Sequence, residues 1–482
     1  MPRASNFRLD AFWFIYLLGV VKMSTDNSGT LNRQEWKTLG LSSLGGILEF
    51  YDFIIVFFFA KIISEHFFPA GIGEFWALLN TYGTFAAGYL ARPLGGIVMG
   101  HFGDKFGRKN MFLLSIALMV IPTFSLAVIP TYETIGYAAP LILILVRVCQ
   151  GIAIGGELPG AWVFIHEHAP VGQKNTYLGV LTGSVTSGIL LGSIVTLAMN
   201  FIYTQPELHD WAWRVPFILG GIFGLISIYL RRFLQETPVF QKMRQSKMLA
   251  RFPLKEVLQS SRYGIWISMF ITWVLTTCIV VFILLMPTFA GGVLKFDPFT
   301  TVYFQLSGLV CIVSSCMITG KLSDHFRPSS VCMLFSAGFA ICGFLFLMQL
   351  YSTNVNVPVA WVLYMATCFF GGIMNFCPIF MSDVFEPRIR FSGISFAYNI
   401  AYAISGAVTP QLAFALHTYG KLHPDTFGAL SLGFYIVAVG ILSILTAMSM
   451  DKVYTGKREI HGMREAAEFE LNSVACRTTD RR

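Results

Sequence analysis

A helix that crosses a bilayer needs about 20 consecutive apolar residues, and from Thr38 onward this chain supplies about twelve such segments in succession. They run roughly over 38–60, 76–100, 111–130, 138–165, 177–201, 214–233, 263–288, 299–320, 329–350, 358–382, 391–416 and 426–449. The connections are mostly short. Such a chain is bound to form an all-α membrane bundle, because in lipid each helix satisfies its own backbone polar groups. The charged fraction of 12% agrees, set against about 25% in soluble domains. An apolar stretch at 11–21 is too short to span, so Met1 to Lys22 reads either as an extension upstream of the first helix or as an interfacial anchor or signal-like segment.

Charge sets the orientation. Every second connection is basic: Lys105, Arg108 and Lys109, then Lys174, then Arg231, Arg232, Lys242, Arg244, Lys247 and Arg251, then Lys321 and Arg327, then Arg388 and Arg390. Short basic loops stay inside, which predicts that those loops and both termini are cytoplasmic. The connections around 69–74, 130–136, 205–210 and 354–358 then face outward. One long polar connection separates two groups of six segments. The expected organisation is a cytoplasmic segment 1–37, a first half 38–235, a linker 236–262, a second half 263–450 and a cytoplasmic tail 451–482. The linker's mixed run FQKMRQSKMLARFPLKEVL suits either a helix on the anionic inner leaflet or a solvated connector. The net charge of +8 is therefore read as topology and not as nucleic-acid affinity. Nine scattered cysteines show neither a disulfide framework nor a zinc spacing. With no phosphate loop or nucleophile motif either, no cofactor and no enzymatic activity are expected.

The loop after the second segment, GHFGDKFGRK, combines closely spaced glycines with a fixed aspartate and basic residues. It resembles the loop between the second and third helices of major facilitator superfamily transporters. A degraded copy, Gly320-Lys-Leu-Ser-Asp324-His-Phe-Arg327, puts its glycine and aspartate each 220 residues after Gly100 and Asp104, as two homologous halves require. The resemblance implies a major facilitator fold of twelve transmembrane helices in two pseudo-symmetric halves.

Ionisable groups inside spans cost roughly 2.5 to 3.5 kcal/mol each, so each asks for a partner, a cavity or a role. Here they gather in the first half. Glu49 and Asp52 lie one turn apart on the first segment, Arg92 on the second, Arg147 and Glu157 on the fourth. Two acids so close in low dielectric do not both ionise easily unless a cation intervenes, and Arg147 is the expected cation. Glu49, Asp52 and Glu157 are the candidate proton carriers. The second half offers a polar wall instead: Tyr398, Asn399, Tyr402, Ser405 and Thr409 recur along the eleventh segment, with Asn375 and Gln305 on neighbouring ones. These residue types also serve helix packing. His166 and His168 flank Glu167 at the end of the fourth segment and read as a wet interfacial cluster.

ILEFYDF, LARPLGG, GHFGDKFGRK, PTYETIGYAAP, RVCQGIAIGGE, DWAWRVPFILG and ETPVF follow in an order similar to that of the metabolite:proton symporter family, which includes proline/betaine, α-ketoglutarate, citrate and shikimate permeases. By that resemblance Glu49, Asp52, Arg92, Asp104, Arg108, Arg147, Gln150, Gly151 and Glu157 fall on motif positions. It implies uptake of a small organic acid or zwitterion with protons across the inner membrane by a monomer. The second reading is a proton antiporter exporting a drug, siderophore or metabolite. Exporters of the superfamily usually carry a Gly-Pro pair in the fifth helix, and LTGSVTSGILLGSIV has no proline. Departures from the pattern, Val56-Phe57 and Leu158-Pro159, imply a more apolar cavity.

The expected substrate residues are Arg92, Arg147, Gln150, Asn375, Tyr398, Asn399 and Tyr402. Gly100, Asp104, Arg108, Asp324 and Arg390 are the expected gate. Within it, Asp104 should contact Arg390 and the exposed amides at the start of the eleventh helix, while the degraded copy at Asp324 should matter less.

Overall fold

The computed structural model describes residues 33–69, 74–352, 354–423 and 430–479. The side chains of 33–38, 49, 53, 74–82, 85, 86, 298 and 456–479 lie outside that description, and so does the extension at 1–22. Among the described residues there is no strand, and twelve long helices account for the twelve expected segments. They are α1 (Arg33–Phe58), α2 (Glu74–Phe106), α3 (Arg108–Val128), α4 (Ala138–His168), α5 (Lys174–Ile202), α6 (Val215–Arg231), α7 (from Arg262), α8 (Pro298–His325), α9 (Pro328–Leu350), α10 (from Val357), α11 (Arg390–Leu422) and α12 (Ser431–Thr479).

Two helices change pitch. α7 passes through a π-helical stretch, Cys278–Leu285, and continues to Leu294, beyond the expected end at 288. The carbonyls disturbed there find partners, since Tyr364 Oη donates to Phe282 O at 3.0 Å and Gln305 Nε2 to Ile283 O at 2.9 Å. α10 tightens at Gly371–Asn375 and runs on to Val384. The linker is neither one surface helix nor a plain connector: two short helices, Pro238–Gln245 and Pro253–Ser260, pack at the Asp104 end of the bundle.

Among the described residues, ten of the twelve are long and apolar enough to cross a membrane. The two not among them, α2 and α11, pack against each other. α1 to α6 form one group and α7 to α12 the other, and the groups meet along α2 with α11 and along α5 with α8. Glycines make both seams possible. A Cβ at Gly100 would stand 3.0 Å from Ser392 Cα, and one at Gly320 would stand 2.5 Å from Asn175 O and 3.0 Å from Gly179 Cα. The repeated glycine of the loop motif is thus a contact between opposing backbones, the close approach that small residues allow. Gly107, between α2 and α3, has φ +124°, a conformation only glycine adopts readily. Beside it the Lys109 N–H donates to Glu236 Oε2 at 3.2 Å, pinning the start of the linker.

Gly320→Ala should strain the α5–α8 seam by ~1–3 kcal/mol, whereas Gly292→Ala, with open space around the added methyl, should not. Thermal unfolding in detergent measures both. Equal melting temperatures would show that the seam is loose.

Candidate functional site

At the end of the bundle that carries the repeated motif, acids of each group reach helix starts of the other. Asp104 Oδ2 accepts the Ser392 N–H at 2.8 Å, in the first turn of α11, whose amides have no intrahelical acceptor. Asp324 does the same for α5: Oδ1 accepts the Asn175 N–H at 3.0 Å, and Oδ2 accepts from Thr176 N–H at 2.8 Å and Thr176 Oγ1 at 2.6 Å. The degraded copy is therefore as well engaged as the intact one. What it lacks is the arginine arm, since Arg327 is exposed while Arg108 is buried and donates to Pro387 O at 2.5 Å.

Arg390 does not make the expected contact with Asp104. Its Nη1 goes to Glu167 Oε1 at 2.8 Å, and Arg108 pairs with the other oxygen of the same carboxylate. Arg108 also stands 3.5 Å from Asp104 Oδ1. Glu167 is thus no part of a wet cluster: it is buried, and it clasps an arginine from each group. The reason is tertiary. The last turn of α4 faces α11, which no spacing within the fourth segment discloses. Nearby, Arg388 pairs with Glu256 at 2.6 Å, tying the second linker helix to the same end.

Midway along α2, Arg92 is 1% exposed. Its Nε donates to Asn399 Oδ1 and its Nη2 to Tyr398 Oη, both at 3.4 Å and hence weakly. Aromatic faces surround it: Cζ lies 4.2 Å from the centroid of Tyr402, 5.4 Å from Tyr398 and 5.9 Å from Tyr89. Among the described residues no carboxylate pairs with it. Asn399 secures α11 beneath, donating from Nδ2 to Gly155 O at 2.6 Å and Ser395 O at 2.7 Å. Beside Tyr89, a Cβ at Gly88 would stand 3.1 Å from the carbonyl oxygen of Arg147 on α4. Arg147 Nη1 donates to Gln150 Oε1 at 2.8 Å, and Gln150 Nε2 to Thr123 Oγ1 at 3.1 Å. Gly151 serves packing, because a Cβ there would run into Gly88 O of α2.

The remaining candidates scatter. Asn375 is fully buried and donates to Cys316 O at 3.2 Å and Thr319 Oγ1 at 3.3 Å, so it joins α10 to α8. Asp52, also buried, lies over the bare backbone of α6, where a Cβ at Gly224 would be 3.7 Å from Oδ2. The side chain of Glu49 is outside the described set. Glu157 Oε1 faces Arg231 Nη1 at 3.4 Å, and Arg231 Cζ sits 4.1 Å over the Phe112 ring. Arg231, expected in a basic loop, is fully buried. Its place at the end of an apolar run gave no hint of an acid partner on α4.

Comparisons with known proteins bear on this geometry. The family model of the Major Facilitator Superfamily matches residues 42–410. The chain is 29% identical over 447 residues to a proline/betaine transporter of Escherichia coli (strain K12), covering 89% of this chain and 86% of that one. It is similar in structure to the proton:xylose symporter XylE bound to 6-bromo-6-deoxy-D-glucose, with TM-score 0.73 and 18% identity over 87% of this chain and 95% of that one. Against an inward-open conformation of XylE from E. coli the TM-score is 0.58, at 19% identity over 87% and 96%. At these identities the structural likeness is one of fold.

Glu167→Gln should loosen the Asp104 end most, because it leaves two buried guanidinium groups short of their carboxylate. Asp104→Asn and Asp324→Asn should each loosen it several-fold and to a similar degree. Maleimide labelling of Ser382→Cys, in a background without reactive native cysteines, reads the opening. If Asp104→Asn alone speeds labelling, the two copies are not equivalent.

Proposed function

The chain belongs to the Major Facilitator Superfamily, and we propose that it is a proton-coupled symporter that takes up a small organic acid or zwitterion by alternating access. One observation carries the substrate reading: Arg92 is buried where the two helix groups meet and has no acid partner among the described residues. A buried guanidinium without a carboxylate is costly, and an anionic substrate group supplies what it lacks, in the paired geometry that arginine favours. Arg147 and Gln150 extend the polar surface from α4, and the similarity to a proline/betaine transporter supports a small zwitterionic or anionic solute.

Protons enter this reading through Asp52 and Glu157, with Glu49 as the third carrier. Asp52 and Glu157 are buried in the first group, and a carboxylate that must give up its partner or its charge when the cavity changes sides ties protonation to conformation. The Asp104 end is read as cytoplasmic, in the inner membrane, with both termini on that side. The closed clasp at Glu167 then belongs to the outward-facing part of the cycle, and its parting lets substrate through. The working unit is read as a monomer.

In proteoliposomes, an inward proton gradient should drive accumulation of carboxylate or betaine substrates. Asp52→Asn should abolish accumulation while leaving counterflow exchange, because exchange needs no net proton movement. Arg92→Gln should lose both. Accumulation against a gradient by Asp52→Asn would remove Asp52 from the coupling path, and export under the same gradient would reverse the assigned direction.

A further inference from the structure

We infer that the tyrosine cage now holding Arg92 is the subsite for a cationic head group on the substrate, and that Arg92 is its placeholder, a lock between the two helix groups that a zwitterion releases. This rests on the reading of Arg92 as a carboxylate receptor.

The cage is built from both sides of the seam. Tyr89 comes from α2, Tyr398 and Tyr402 from α11, and the Tyr89 and Tyr402 rings stack at 5.6 Å while Tyr398 and Tyr402 stand 5.4 Å apart. Trp162 of α4 packs edge-on against Tyr398 at 4.8 Å, and its buried Nε1 has no hydrogen-bond partner among the described residues. Converging aromatic faces attract cations, and they suit an alkylammonium group, which has no N–H to satisfy, better than a guanidinium, which has five. The fit of Arg92 shows the difference. Its hydrogen bonds to Asn399 and Tyr398 are long, at 3.4 Å, and it has gained ring faces in place of the short, paired bonds its fork can make.

Arg92 also links the groups, since it extends from α2 and, among the described residues, its side-chain hydrogen bonds go to α11. While it fills the cage it ties α2 to α11. A quaternary ammonium carboxylate replaces both of its roles together: the head group takes the ring faces, and the carboxylate takes the displaced guanidinium. No buried charge is left unpaired. An ammonium ion without a carboxylate would expel Arg92 with nothing to pair it, and a carboxylate without the cation would leave the cage to Arg92, so only the zwitterion both fills the cage and frees the lock.

Two ligands of the same shape separate these contributions: trimethylammonioacetate and 3,3-dimethylbutanoate, which differ in the positive charge. Titration calorimetry on the purified full chain should show the zwitterion binding about tenfold more tightly. Tyr402→Leu should erase that preference while still binding dimethylbutanoate, which reports that the variant is folded, and Tyr402→Phe should keep the preference because the ring face remains. Arg92→Gln should weaken both ligands. Equal affinities in the natural protein, or a preference that survives Tyr402→Leu, would overturn the cage and leave the carboxylate reading standing. Failure of both ligands to bind the natural protein, or unchanged affinities in Arg92→Gln, would overturn the two together.

Discussion

The buried carboxylate of Glu167, shared between Arg108 of one helix group and Arg390 of the other, is the contact that joins the two groups at the Asp104 end, and the other polar contacts there are arranged with it. Around it, Asp104 and Asp324 each satisfy amides at the start of a helix in the opposite group. Helix starts carry partial positive charge and free donors, so one acid per seam does the work of several separate bonds. In the proposed transport cycle these contacts hold two bodies that must also come apart. A surface ion pair would be too weak to define a closed state, and a wholly apolar seam would offer nothing for a proton or a substrate to disrupt. Buried charge is the workable compromise, strong when complete and costly when one member is removed.

That closure is possible only because the seams are lined with glycine. Gly96, Gly100 and Gly103 let α2 lie against Ser395, Ser392 and Phe391 of α11, and Gly179 meets Gly320 between α5 and α8. The same economy of side chains runs inside the first group, where Gly88, Gly95, Gly151 and Gly155 bring the backbones of α2 and α4 together. The charged and aromatic residues are what remain to occupy the space: Arg92 among three tyrosines, and Asp52 over the glycines of α6. A short contact between backbones therefore decides where each large polar side chain can go.

Much of this is legible in the sequence. The apolar run lengths imposed twelve helices, since lipid tolerates little else, and the 220-residue offset between Gly100 and Gly320 announced two related halves. The rarity of charge in the spans singled out Asp52, Arg92, Arg147 and Glu157, because membrane burial makes each of them expensive. Tyr398, Asn399 and Tyr402 stood out by their helical spacing, and all three do share a face turned to Arg92.

Partnership was beyond the reach of spacing. Charge alone pairs Arg390 with Asp104, whereas position gives it Glu167, and Arg231 reads as a loop residue yet is buried against Glu157. The physical reason is common to both. Length, apolarity and glycine spacing are properties of a segment by itself, enforced by the bilayer, and so they are written along the chain. Which acid meets which base depends on how helices far apart in sequence rotate and close on one another, and that is set only when their side chains compete for the same few ångströms of space.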